Sequence, residues 1–443
     1  MNFRIIAYII GWVCNFQAAF MLLPAVTAII YWEKDLFAFL ISMVICLSVG
    51  IPLTLRKPKN KVFYIKDGCV AVALSWIALC ITGALPFWLT SSIPHPIDAL
   101  FETVSGFTTT GASILTDVEV LPHSVLIWRS FTHWIGGMGV LVFLLSLLPL
   151  TGGYHMNLMK AESPGPSVSK LVPKVQSTAK ILYTIYIGIT LLQIILLLIG
   201  RVPLFDTLCI SFGTAGTGGF GIKNDSMGGY SHYCIIVTTV FMILFGVNFS
   251  VYYLALTKKF KQALKFEEIR YYFGIIAAAI ILIAINTSHL FTSFGIAIEQ
   301  SAFQVGSIIT TTGFSSTDFN QWPAFSKTIL VLLMFVGACA GSTGGGIKVS
   351  RFLILCKAAK KELQLYLHPN AVKKIKMDNK SISHDVLRST NIYITLYLLI
   401  FAASVLVVSL DNFNLITNFT AVAATLNNIG PGLEVVGPMG NFS

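Results

Sequence analysis

The stretch QVGSIITTTGFSSTDFNQW, residues 304–322, sets the reading of the whole chain. Its centre, Thr310-Thr311-Thr312-Gly313-Phe314, is small and polar, yet it closes a moderately apolar segment and precedes a long apolar run. Non-helical backbone at membrane depth is stable only where it is buried in protein or lines a water-filled path. A short helix that enters partway, followed by an extended Thr/Gly loop, meets that condition.

The rest of the chain supports a membrane setting. Of its 443 residues, 55% are hydrophobic and 11% charged, where a soluble domain carries about 25% charge. Mean hydropathy is +0.78. The chain reads as an integral membrane protein, and its first span is too long for a signal-peptide core and lacks an A-x-A-like cleavage site. Spans of membrane length are expected at 5–31, 35–55, 68–89, 121–148, 179–200, 233–256, 271–290, 327–356 and 391–410. The eight cysteines lie scattered through apolar stretches without a CxxC pair. Each reads as a small buried hydrophobe, neither a disulfide partner nor a metal ligand. The net charge of +11 points to the positive-inside rule and not to nucleic acid. Arg56, Lys57, Lys59, Lys61 and Lys66, then Lys160, Lys170, Lys174 and Lys180, then Lys258 to Arg270, then Lys348 to Arg388 form basic connections. These alternate with Lys/Arg-poor connections at 90–120, 201–231, 291–326 and 411–443. The basic set and the N-terminus, with Arg4, are expected to be cytoplasmic.

The sparse connections repeat. Each holds an apolar run too short to span, then a Gly-centred polar stretch: SGFTTTGAS (105–113), FGTAGTGGF (212–220), SIITTTGFS (307–315) and TLNNIGPGL (425–433). Their central glycines are taken as Gly111, Gly218, Gly313 and Gly430, roughly a hundred residues apart. The expected fold is all-α, with four pseudo-symmetric span–pore helix–filter loop–span repeats around a central pore and two extra N-terminal spans. The division is 1–66 for the two-span preface, 67–150 for repeat 1 and 151–257 for repeat 2 with its preceding cytoplasmic linker. Repeat 3 takes 258–358, and 359–443 holds a cytoplasmic linker and an incomplete repeat 4.

Four such loops around an axis replace the hydration shell of an ion with backbone carbonyls, as the T-V-G-Y-G strands of potassium channels do. Threonine adds a hydroxyl, and glycine takes the angles that aim carbonyls inward. The alternative is a set of ordinary Gly/Thr turns between hairpin helices. The candidate ion-binding residues are Thr109, Thr110, Gly111, Thr217, Gly218, Thr311, Thr312, Gly313, Asn428, Ile429 and Gly430. Charged groups at membrane depth are costly. Glu102 and Arg129 are expected to form a buried pair that holds the first repeat together, with His133 nearby and Glu299 in the third short helix. Asp117, Glu119, Asp225, Asp318 and Glu434 follow the loops, either concentrating cations at the outer mouth or lying on a solvated face.

A second glycine cluster, FVGACAGSTGGGIKVSR (335–351), resembles the phosphate-binding pattern G-x-x-x-x-G-K-[ST] but fails it, because Ile347 separates Gly346 from Lys348 and no strand precedes it. It reads as a break in the 327–356 helix, either lining a cavity and obstructing a pore or serving as a kink for close packing. Lys348 and Arg351, just past it, either couple a cytoplasmic partner to the break or reach lipid headgroups. No HExxH, Ser-His or paired-aspartate arrangement sits at membrane depth, so the chain is not read as an enzyme.

TTTGAS, AGTGGFG, TTTGFSSTDF, NNIGPG and GSTGGGIK together resemble the Trk/Ktr/HKT superfamily of potassium transporters, over essentially the whole chain. The two-span preface is most similar to the Trk-type membrane subunit of bacteria. The resemblance implies a potassium-uptake pore subunit in the inner membrane, with K+ as the substrate ion and no bound cofactor. It also implies a homodimer with one pore per protomer and a cytosolic TrkA-like, nucleotide-binding RCK-type regulatory subunit. Ala340, Gly341, Ser342, Thr343, Gly344, Gly345 and Gly346 would form the gating loop. Glycine at all four filter positions implies potassium over sodium. The family's fourth repeat continues into a further span bearing an arginine, whereas here only PGLEVVGPMGNFS follows Gly430. The chain is therefore expected to be truncated or incompletely recorded, with sodium permeation or a non-conducting assembly role as alternatives. Channel versus ion-coupled symport stays open.

Overall fold

The computed structural model describes residues 1–58, 63–139, 175–263, 265–369, 374–378 and 380–438. The chain divides into two units, Met1–Ser226 and Met227–Phe442, and two Gly-centred loops fall in each.

In the first unit, α1 (Phe3–Phe20) and α2 (Leu22–Ile30) make one apolar stretch. It is followed by α3 (Leu36–Leu55) and α4 (Ile65–Leu89). Small residues let α1 and α3 approach closely: a Cβ on Gly11 would lie 2.7 Å from Leu53 Cβ, and one on Gly50 would collide with Asn15. Then come α5 (Pro96–Phe107), α6 (His123–Gly137), α7 (Val175–Ile199) and α8 (Leu204–Gly216). Val13, Phe39, Phe87, Phe107 and Trp128 are buried in the shared core. Trp128 donates its indole N–H to the Gly83 carbonyl at 3.1 Å, which satisfies its one polar atom. Glu33, between α2 and α3, caps α6 from outside: its Oε1 accepts from the His123 N–H at 2.7 Å and its Oε2 from the Ser124 N–H at 3.0 Å. Burial pushes this carboxyl up, but the hydrogen bonds from Ser124 and His123 outweigh it and hold the group below its ordinary value.

The second unit contains α9 (His232–Phe245), α10 (Phe249–Leu256), α11 (Phe260–Ala263), α12 (Glu267–Thr287) and α13 (Phe294–Ile309). After α14 (Ala324–Val336) and α15 (Val349–Leu367) comes a small hairpin of β1 (Lys376–Met377) and β2 (Lys380–Ser381). The helices α16 (His384–Val408) and α17 (Leu415–Leu426) follow. Its core includes Tyr272, Ile308, Phe319 and Met334.

Several expectations change. Six helices among the described residues are long and apolar enough to cross a membrane, or seven counting one bent pair, against nine expected spans. The expected 233–256 span bends by 93° between α9 and α10, where Asn248 caps α10 through a 2.9 Å bond from the Ser250 N–H. The expected 327–356 span is two helices parted by 337–348, and its second half runs on to Leu367, into the lysine-rich segment expected to be linker. Residues 140–148 of the expected 121–148 span, and the linker from 151 to 174, lie outside the described residues. Six cysteines are buried, but Cys69 and Cys356 are exposed, because both lie on outward faces of long helices.

Candidate functional site

The four runs expected to be too short to span are helices α5, α8, α13 and α17, of 12, 13, 16 and 12 residues. At about 1.5 Å per residue none reaches the ~30 Å of a hydrocarbon core. Each starts at a local signal. Pro96 opens α5, Pro203 precedes α8, Ser293 accepts from the Ile296 N–H, and Asn414 accepts from the Thr417 N–H.

Each also ends in the same way. Thr109, Thr217, Thr311 and Asn428 take left-handed φ values of 60°, 54°, 58° and 58°. The next residue then closes a bond back over the helix end. Thr110 N–H reaches Ser105 O at 2.9 Å, Gly218 reaches Gly213 O at 2.9 Å, Thr312 reaches Ser307 O at 2.8 Å and Ile429 reaches Ala424 O at 2.8 Å. This is a Schellman closure, which usually has glycine at the left-handed position. Placing β-branched threonine there in three of the four costs about 1–2 kcal/mol each, strain of the kind that gathers at functional sites.

The closure fixes the equivalences between loops. One residue beyond it, glycine again has positive φ: Gly111 at 76°, Gly219 at 74°, Gly313 at 86° and Gly430 at 98°. The second loop therefore reads Thr217-Gly218-Gly219, and Gly219, which sequence reasoning missed, holds the position of Gly111, Gly313 and Gly430. Gly218 occupies the middle place of Thr110, Thr312 and Ile429. Its lack of a side chain has a separate cause, since a Cβ there would collide with the His133 ring. The first and third loops share a further feature: the hydroxyls of Thr108 and Thr110 lie 2.8 Å apart, and those of Thr310 and Thr312 lie 2.7 Å apart.

In the first unit a buried ion pair fastens both loops. Glu102 on α5 and Arg129 on α6, the expected pair, are almost wholly buried and lie 2.7 Å apart. Arg129 also donates to Gly221 O at 3.2 Å and to Ser113 Oγ at 3.1 Å, and its guanidinium lies 4.2 Å from the Phe220 ring centroid. The other oxygen of Glu102 accepts from the Ile114 N–H at 3.1 Å. His133 accepts from the Phe220 N–H at 3.4 Å. The charges are thus paired and hydrogen-bonded to the backbone that follows each turn, the condition under which burial is tolerable.

In the second unit neutral groups do the same work. Gln304 Nε2 donates to Ser315 Oγ at 3.2 Å and Thr317 O at 3.3 Å, Ser316 Oγ donates to Gln300 at 2.5 Å, and Ser307 Oγ donates to Phe314 O at 2.6 Å. Beyond the turns, the Glu434 N–H donates to Asn320 Oδ1 at 2.9 Å while Asn320 Nδ2 donates to Glu434 O at 3.2 Å, joining the third and fourth loops. Glu299 pairs with His232 at 2.8 Å. Three of the outer acids brace turns: Asp117 and Glu119 accept from Asn224, and Asp318 from Asn320. Hydrogen bonds from Asn224 and Glu119 hold the Asp117 carboxyl below its ordinary value.

The segment 337–348 lies against these two turns. Gly345 N–H donates to the Thr311 hydroxyl at 2.5 Å and Gly346 N–H to Asn427 O at 3.1 Å. Cβ atoms on Gly344 and Gly345 would each lie 2.6 Å from a carbonyl oxygen, of Thr310 and Asn427 respectively. The bend between α9 and α10 supports the other side: Cys339 N–H donates to Gly246 O at 3.0 Å, Phe249 N–H to Gly341 O at 3.0 Å, and Thr343 Oγ1 to Phe245 O at 3.2 Å. One buried carboxylate secures both ends, as Glu268 Oε1 accepts from Ala340 N–H at 2.7 Å and Ser350 N–H at 3.1 Å. Neither Glu268 nor the bend was anticipated, although Glu267-Glu268 at the head of an apolar run was a visible signal. Lys348 turns inward and donates to the Gly344 carbonyl, while Arg351 lies 4.2 Å from the Tyr393 ring centroid.

Comparison with known proteins agrees with this architecture. A sequence model of the TrkH family, described as "Cation transport protein", matches residues 35–435. The Trk system potassium uptake protein TrkH of Salmonella typhimurium is 34% identical over 98% of this chain and 92% of its own length. TrkG of Escherichia coli is 34% identical over 97% and 90%. The crystal structure of the potassium transporter TrkH from Vibrio parahaemolyticus superposes with a TM-score of 0.88 at 31% identity, covering 99% of this chain and 92% of that one. This chain belongs to the TrkH family of cation transport proteins, membrane transporters and not enzymes.

Proposed function

We propose that the chain is a pore-forming subunit for potassium uptake across the cytoplasmic membrane of a bacterium. The observation that carries this reading is the shared turn: the same left-handed residue, backbone closure and positive-φ glycine at the end of four short helices. In the proposal, carbonyls of Thr109–Gly111, Thr217–Gly219, Thr311–Gly313 and Asn428–Gly430 act together on one ion path and take the place of water around K+. Relatives named as potassium uptake proteins support the choice of ion. The segment 340–346, hydrogen-bonded to Thr311 and Asn427 O, serves as the gate. The basic connections and the N-terminus face the cytoplasm, where a TrkA-like RCK-type subunit acts on the gate, and the subunit works as a homodimer. Support for this last part comes from the family resemblance and the charge pattern.

The test is rubidium and potassium uptake in a cell lacking its own uptake systems, with Gly313→Asp as the control. A Cβ on Gly313 would collide with the Ile429 carbonyl, so this variant should take up no potassium even when uptake is normalised to the amount of protein in the membrane. Sodium uptake equal to potassium uptake would overturn the choice of ion. Unchanged uptake by Gly313→Asp would overturn the filter.

A further inference from the structure

The second unit carries a further feature, remote in sequence from its Gly-centred turns. The far end of α15 and the approach to the hairpin border an open cleft of about 540 Å³, lined by Lys357, Lys360, Lys361, Gln364, Lys374, Ile375 and Lys376. Positions 357, 360, 361 and 364 fall on one helical face by their three- and four-residue spacing. Opposing them is a wall that is pinned in place. Lys357 pairs with Glu267 at the start of α12 and donates to Lys376 O at 2.8 Å. Asp378 accepts from the Glu267 N–H at 2.8 Å, Ile382 N–H donates to Ile375 O at 2.9 Å, and Ile375 is buried.

The charges in this cleft do not balance. Glu267 is engaged with Lys357, and Asp378 is engaged with backbone. Among the described residues no ion pair forms on Lys360, Lys361, Lys374 or Lys376. Four ammonium groups facing one cleft repel each other unless an anion joins them. Lysine, a compact point charge with three donors, suits phosphate oxygens without requiring bidentate geometry. On a neighbouring face of α15, Leu363, Tyr366 and Leu367 are 70%, 91% and 76% exposed, an apolar stripe alongside the cationic one. Lysine clusters adjoining a membrane helix attract anionic headgroups.

We propose that this cleft binds a phosphate-bearing anion, supplied either by the headgroup of an acidic membrane lipid or by a soluble polyphosphate. The proposal does not depend on which ion the chain transports.

The test uses the full chain in nanodiscs. In phosphatidylcholine discs, inorganic pyrophosphate is titrated and binding read by calorimetry. In parallel, retention of phosphatidylglycerol from mixed discs is read by native mass spectrometry. Both are compared with Lys360→Gln/Lys361→Gln/Lys374→Gln and with a control of equal charge loss elsewhere, Lys57→Gln/Lys66→Gln/Lys180→Gln. A tenfold weaker pyrophosphate binding in the cleft variant alone supports the site with a soluble ligand. A tenfold loss of phosphatidylglycerol retention in the cleft variant alone supports it with a lipid. Equal losses in the control, or no loss in either assay, overturn it. Single Lys361→Gln, with a smaller loss in the same direction, serves if the triple variant elutes as aggregate.

Discussion

At the residue scale, two adjacent glycines carry different burdens. Gly219 is needed for its backbone angle and Gly218 for the space it leaves to His133. Gly219→Ala should therefore fold and reach the membrane while uptake falls about tenfold, the kinetic equivalent of the ~1–2 kcal/mol that a left-handed non-glycine costs. Gly218→Ala should instead lower the yield of folded protein, read as a fall in melting temperature in detergent. The same effect on both readouts from both variants would contradict the assignment. Three of the four glycines were legible because Thr-Thr-Gly and Asn-Ile-Gly offer one candidate each. AGTGG holds three glycines, two of them after Thr217, and the choice depends on the residue at which α8 stops, which sequence pattern does not resolve. Glu33 gives a pH-dependent prediction. Its folded pKa is lowered, so its stabilisation is fully present above the unfolded carboxylate value of about 4.3 and is lost as pH falls through the lower folded value. Glu33→Gln should cost on the order of 1 kcal/mol at pH 7, as loss of a helix cap does, and nothing in strong acid. Melting curves at the two pH values decide this.

At the element scale, the short helices were legible from length, since an apolar run of a dozen residues bounded by Pro or a capping residue has few other readings. The break at 337–348 was legible from its glycines. What held it in place was not, because Glu268, the bend at Gly246 and the Thr311 hydroxyl come from separate parts of the chain. Glu268 is the group whose loss should be felt most widely. Glu268→Gln removes the charge that accepts at both ends of the segment. Hydrogen exchange of the Ala340 and Ser350 amides should quicken by at least tenfold, while the amides of α12 stay protected. If the two amides keep their wild-type rates, the segment is held by its contacts with Thr311 and Asn427 instead.

At the scale of the whole molecule, alternation of basic and Lys/Arg-poor connections was the most legible property, because insertion reads charge and not tertiary structure. Number of spans was less so. Hydropathy cannot tell a continuous helix from two halves meeting at a bend, and both 233–256 and 327–356 are of the second kind. The proposed orientation, with the basic connections in the cytoplasm, predicts an accessibility pattern. In a background with the native cysteines replaced, a thiol at Lys57→Cys should react with impermeant maleimide only in inverted vesicles, and one at His95→Cys only in intact cells. The reverse pattern would invert the orientation.

The turn at the end of each short helix is closed by bonds to that helix alone. That closing bond needs no partner from the other three loops, so a copied segment carries the closure with it. Once copied, each is free to drift: Thr-Thr-Gly, Thr-Gly-Gly and Asn-Ile-Gly all keep the same course of the main chain. Duplication of such a segment would hand down four like turns while the side chains behind them diversified. Such a lineage would be expected to vary most at the middle residue of the three and least at the last.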